Sequence, residues 1–128
     1  MEFTLTTVLQ ASPKEIYAAW LNSDAHTKMT GGQATASHKI GGAFTAWDGY
    51  IWGANLELIP TIKIVQSWRT NEFEEAAEDA VITVVFKEEN GATLLTLVHT
   101  NVPEDGDKYK KGWVVHYFEP MAAYFSKK

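Results

Sequence analysis

The chain contains no cysteine, so disulfide staples, thiolate nucleophiles and cysteine-held zinc are excluded from its chemistry. It has no run of 18 apolar residues, and its opening, "MEFTLTTVLQASPKE", has neither a basic leader segment nor an apolar stretch behind one. The expectation is a cytoplasmic protein with no membrane partner. Excess positive charge is also missing: the formal net charge is -5, which repels a polyanion at long range and leaves nucleic acid a poor partner. No G-x-S-x-G, P-loop, G-x-G-x-x-G or H-E-x-x-H string occurs. His26, His38, His99 and His116 have no i,i+4 spacing, so neither a metal nor a cofactor is expected.

Apolar side chains, by contrast, are plentiful. Hydrophobic residues make up 45% of the 128 positions and charged residues 21%, the composition of an ordinary globular protein, and this length suits one domain, taken as residues 1–128. Five Trp, five Tyr and six Phe give it a large supply of rings.

Residues 2–10 alternate, with Phe3, Leu5, Thr7 and Leu9 on one side, and read as a half-buried strand. In "SPKEIYAAWL", Ser12 is the N-cap, Pro13 takes the first helical position and Glu15 completes a capping box, predicting a helix over 13–22. "SDAHTKMTGG" adds a short helical turn before Gly31 and Gly32. From there to residue 100 the pattern is β, with turns at Gly41-Gly42, Asp48-Gly49 and Asn90-Gly91 and a break at Pro60. Asn90-Gly91 supplies the positive φ angles of a two-residue hairpin turn. That fixes a register in which Phe86 faces Leu95, Val84 faces Leu97 and Ile82 faces His99, the better inner face. The last helix is predicted from about Lys108 to Phe125, with Trp113, Val114, Tyr117, Phe118, Met121, Ala122, Tyr124 and Phe125 on one half and His116 and Glu119 on the other. Pro120 cannot donate to the His116 carbonyl, so a kink is expected there. This order gives an α+β domain with a long helix across a curved antiparallel sheet.

Five strings, "SPKEIYAAW", "GGAFTAWDGYIWG" followed by "LELIP", "IVQSWR", "ITVVFKEENGATLLTL" and "GWVVHYFEPMAAYF", occur in an order that resembles the START-related helix-grip superfamily of the birch-pollen-type allergens. Within it, the chain most resembles the C-terminal domain of the activators of the heat-shock protein 90 ATPase. Two-domain activators are matched in their second half only. The resemblance implies a helix-grip fold with two short helices after the first strand, a binding rather than catalytic role, and a heat-shock protein 90-type chaperone or a stress-related partner. It also implies a cavity between last helix and sheet that would take a small apolar ligand. From the sheet its lining would draw on Phe44, Trp68, Ile82, Val84, Phe86, Leu95, Leu97 and His99. From the helix it would draw on Trp113, Tyr117 and Met121.

An empty apolar cavity of about 300 Å³ costs on the order of 7 kcal/mol, comparable with a domain's whole stability. The rings are therefore expected to fill most of that space themselves. His99 is the polar member of the inner face and is read either as a group orienting a ligand or as a histidine bonded to a neighbour. Asp48 is read as a turn residue; a cyclase or hydrolase would instead use Asp48 or His99 as acid or base. Glu57 and Arg69 are candidates for a cross-strand pair. The acidic run "NEFEEAAED" is placed on a loop, and Lys108, Lys110 and Lys111 are either solvated or a docking patch for a charged protein surface.

Overall fold

The computed structural model describes residues 1–126. Strand β1 (Phe3–Leu9) is followed by helices α1 (Pro13–Trp20) and α2 (Ser23–Thr30). Five strands then follow: β2 (Ala43–Ala46), β3 (Ile51–Ile59), β4 (Lys63–Thr70), β5 (Ala80–Glu89) and β6 (Ala92–Thr100). With β1 they form one six-stranded, curved antiparallel sheet in the order β1-β6-β5-β4-β3-β2. The chain ends in α3 (Asp107–Trp113), a π turn (Val114–Phe118) and α4 (Glu119–Ser126).

Local chemistry accounts for most of these boundaries. Ser12 Oγ accepts the Glu15 backbone N–H at 3.2 Å and starts α1, satisfying a donor that the first helical turn would otherwise leave unpaired. Asn22 does the same for α2, its Oδ1 accepting from Ala25 at 2.9 Å, and Gly31 ends that helix in the left-handed conformation. α2 is thus an eight-residue helix, longer than the single turn its polar sequence suggested. At Asn90 and Gly91 both φ angles are positive, and the hairpin pairs Phe86 with Leu95, Val84 with Leu97 and Ile82 with His99 as the sequence dictates.

Three expectations need correction. Residues 31–42 are a loop that forms no strand: it meets β2 at one bridge, Thr35 to Thr45, and β3 through backbone bonds of Gly41 and Gly42 with Asn55 at 2.8 and 2.9 Å. Of their side chains only Ala34 joins the core, Ile40 being exposed, and the segment is tied down instead by side-chain bonds such as Asn55 Nδ2 to the Ser37 and Lys39 carbonyls at 2.8 and 2.9 Å. The last helix departs from α geometry in the turn before Pro120, where the Glu119 N–H bonds to the Val114 carbonyl five residues back. That wider turn sits where the proline withholds its own donor, and it rotates Val114 outward to 37% exposure, off the inner face. Glu57 pairs with Lys63 at 3.3 Å and Arg69 with Asp79 at 2.7 Å, leaving no Glu57–Arg69 pair.

The core lies between the concave sheet face and the helices. Leu9, Ile16, Ile64, Val84, Leu95, Leu97 and Met121 have no exposed surface. Each such side chain contributes about 1.5 to 3 kcal/mol relative to exposure.

Candidate functional site

The last helix presents Tyr109, Trp113 and Tyr117 at four-residue intervals, all buried against the sheet. Such spacing stacks side chains along one helix face. Trp113 meets Tyr117 with ring centroids 4.6 Å apart and stacks on Trp20 of α1 at 6.2 Å. Trp68 of β4 reaches Tyr109 at 5.0 Å and His99 at 4.5 Å, both edge to face, the orientation that ring quadrupoles favour.

Polar atoms in this cluster are paired in a definite sense. His99 is fully buried, and its Nδ1 accepts the Trp113 indole N–H at 3.1 Å, so Nε2 carries the ring proton. Among the described residues Nε2 has no hydrogen-bond partner, and the ring sits among those of Phe3, Trp68 and Trp113. Burial drives the imidazole pKa down to about 3. His26 Nδ1 bonds to the Trp20 carbonyl at 2.8 Å and must donate there, so Nε2 accepts from the Tyr117 hydroxyl, also at 2.8 Å. Burial lowers the His26 pKa and raises that of Tyr117, keeping both neutral. A further chain runs from Trp20 Nε1 to Gln66 Oε1 at 3.3 Å and from Gln66 Nε2 to Asn55 Oδ1 at 2.9 Å. α1, sheet and loop are thereby locked together.

Beside this cluster the packing stops. A cavity of about 230 Å³ remains, lined by Trp47, Tyr50, Ile51, Trp68, Tyr109, Gly112, Trp113, His116 and Tyr117. The rings thus leave this end of the space under the helix unfilled. Its floor is β3 and β4, and its roof is the last helix. Trp47 closes one side from the β2–β3 turn, where Trp47, Asp48 and Gly49 all have positive φ. Its ring lies over Gly32, where an added Cβ would come within 2.4 Å of the indole. The other rim is Gly112, at which an added Cβ would meet nothing within 4 Å. The phenol oxygens on the wall are engaged: Tyr109 with Thr70 Oγ1 at 2.9 Å, Tyr117 with His26, and Tyr50 donating to Glu72. Burial and the Glu72 contact raise the Tyr50 pKa.

Of the lining residues expected from sequence, Trp68, Trp113 and Tyr117 face this cavity. Phe44, Ile82, Val84, Phe86, Leu95, Leu97, His99 and Met121 are buried in the core behind it. Asp48 is exposed on its turn, and neither it nor His99 is on the lining. Sequence reasoning missed Trp47, Tyr50, Ile51, Tyr109, Gly112 and His116. The available signals were the ring-rich "WDGYI" turn and a glycine in the middle of a periodic helix.

The basic and acidic runs meet. Lys108 bonds Glu72 at 2.8 Å and lies 3.8 Å from Asp105, and Lys110 lies 3.9 Å from Asp107. The Lys108 contact lowers the Glu72 pKa, and Glu72 raises that of Lys108. Arg69 fastens the acidic loop through the Glu74 and Ala77 carbonyls, each at 3.0 Å. Among the described residues no cluster of His, Asp and Glu has the makings of a metal site, and no helix is long and apolar enough to cross a membrane.

Residues 10–126 match the family described as Activator of Hsp90 ATPase homolog 1-like protein. The human activator of 90 kDa heat shock protein ATPase homolog 1 is 30% identical over 125 residues, 97% of this chain and 37% of that protein. The Dictyostelium discoideum activator of 90 kDa heat shock protein ATPase homolog is 29% identical over 118 residues, 91% of this chain and 31% of that protein. The chain thus spans about a third of the length of these curated relatives. The crystal structure of an HSP90 activator from Plasmodium falciparum superposes with a TM-score of 0.89 at 24% identity, covering 98% of this chain and 96% of that one.

Proposed function

The chain belongs to the Activator of Hsp90 ATPase homolog 1-like family, and from that premise we propose a non-catalytic binding domain that engages an Hsp90-type chaperone and offers a small apolar pocket under its last helix. The observation that carries the chaperone half is the match over residues 10–126 to proteins named as activators of that ATPase. A cytoplasmic, stress-linked setting belongs to the same proposal. Lys108, Lys110 and Lys111 are its docking residues. The ion pairs of Lys108 and Lys110 within the chain are exposed, and exposed pairs are worth little, so a partner's carboxylates can replace them, while Lys111 has no such pair among the described residues.

The pocket half rests on wall chemistry: apolar rings whose hydroxyls already have partners inside the protein. Such a wall holds a ligand by contact and exclusion of water, and offers it no paired acid and base. The rival cyclase or hydrolase reading relied on His99 or Asp48, and both lie off the lining.

Calorimetric titration into a purified Hsp90-type chaperone at low salt tests the docking. A salt-sensitive complex, weakened by the triple reversal Lys108→Glu, Lys110→Glu and Lys111→Glu, is the expected result. No complex at micromolar concentration would remove the chaperone half.

A further inference from the structure

The aromatic cavity does not end at its rim. A second, shallower basin of about 400 Å³ lies outside it, lined by Tyr50, Lys108, Tyr109, Lys111, Gly112, Val115 and His116. Four of these, Tyr50, Tyr109, Gly112 and His116, also line the inner cavity. The two spaces therefore share a threshold, and that threshold is the residue without a side chain. Their chemistry differs. The inner space is ring-walled. The outer one carries Lys108 and Lys111, of which Lys108 is already held by Glu72 and Asp105. Lys111 is exposed, with no ion pair among the described residues, and His116, also exposed, offers an imidazole that packs edge to face with the Trp47 ring, centroids 5.2 Å apart.

We propose that this double site takes a small aryl carboxylate, its one or two rings lying among Trp47, Trp68, Trp113 and Tyr117 and its carboxylate meeting Lys111 and His116 outside Gly112. The proposal rests on the pocket reading above and names its ligand class. Size supports it: about 150 Å³ of apolar cavity suffices for benzene, so 230 Å³ admits a fused two-ring system while a long lipid chain does not fit. Polarity supports it as well. A wholly apolar ligand would leave Lys111 and His116 unused, and a cation would meet a lysine at the entrance. The overall charge of -5 slows the approach of an anion but is screened beyond about 8 Å at physiological salt, whereas the ammonium acts at contact.

The test is calorimetric titration with 2-naphthoate, the neutral 2-naphthamide and the cationic naphthylmethylamine, against the wild-type chain, Lys111→Gln and Gly112→Leu. The naphthoate is expected to bind tighter than the amide by up to about fivefold, the upper end of what one exposed charge pair contributes. That preference should shrink at high salt and vanish in Lys111→Gln, while Gly112→Leu weakens both ligands at least tenfold with the fold intact by circular dichroism. Equal binding of naphthoate and naphthamide overturns the carboxylate assignment and leaves the apolar pocket standing. Tightest binding by the amine also overturns it, in favour of an aromatic cage for cations. Binding by none of the three at millimolar concentration removes the pocket reading along with the proposal. A preference for naphthoate that survives Lys111→Gln places the carboxylate elsewhere and refutes the geometry.

Discussion

Gly112→Ala should stabilise the protein. Gly112 lies within α3 in ordinary helical backbone, and glycine inside a helix costs about 0.8 to 1.0 kcal/mol relative to alanine. At most positions that gain is offset by crowding. Here a Cβ would meet nothing within 4 Å, so no clash opposes it and little new packing adds to it. The expected change is therefore close to the propensity difference, about 1 kcal/mol, or roughly a 3 to 5 °C rise in Tm for a domain of this size. Urea unfolding followed by tryptophan fluorescence measures it as a higher midpoint at unchanged slope. A second readout tells whether the glycine serves the opening. Alanine narrows the threshold, so 2-naphthoate should bind more weakly to the stabler variant. A neutral or destabilising result would overturn this expectation, because it would mean that the backbone at Gly112 is not the open helical one that accepts alanine.

The buried histidines give a pH signature. The His99 pKa is depressed to about 3 in the folded protein against about 6.5 when unfolded, so its contribution is fully present above the unfolded value and is lost as pH falls below it. Between pH 7.5 and 5.5 that loss is about 1 kcal/mol, and His26, shifted in the same direction, adds to it. Denaturant titrations of His99→Gln, which keeps an acceptor for Trp113, should show a shallower loss over this range; an identical slope would argue that His99 is not buried neutral. Tyr117→Phe removes the donor to His26 Nε2 and leaves a buried acceptor unpaired, costing about 1 to 3 kcal/mol. Thermal unfolding checks this, and an unchanged Tm would mean that the bond does not form.

Local rules and tertiary geometry divide what could be read beforehand. Ser12, Asn90 and Gly91 act through their own backbone neighbourhood, so the α1 cap and the β5–β6 register were legible, and the register placed Val84, Leu97 and His99 inward. The order of strings carried the family. The cavity was not legible, because its walls come from parts whose side chains take directions that no repeat encodes. Trp47 opens and Tyr50 follows a run of positive φ angles at Trp47, Asp48 and Gly49, which breaks the alternation that assigns faces in a strand. Placing the helix on a wheel of 3.6 residues per turn assumed α geometry throughout, and the π turn at Val114–Phe118 displaced Val114 from the predicted face. The sheet centre, where the lining was expected, is filled by Met121 and Leu97, both without exposed surface; the space lies toward β3, where glycine and the turn leave it.

If the rings of the last helix roof the sheet and still leave an apolar space between Trp47, Trp113 and Tyr117, that space should admit a small apolar atom. Diffraction from crystals pressurised with xenon addresses it directly, since xenon occupies apolar cavities. A xenon peak within van der Waals distance of those three rings is expected. Density showing the Trp47 indole folded into that space, with no xenon bound, would contradict it.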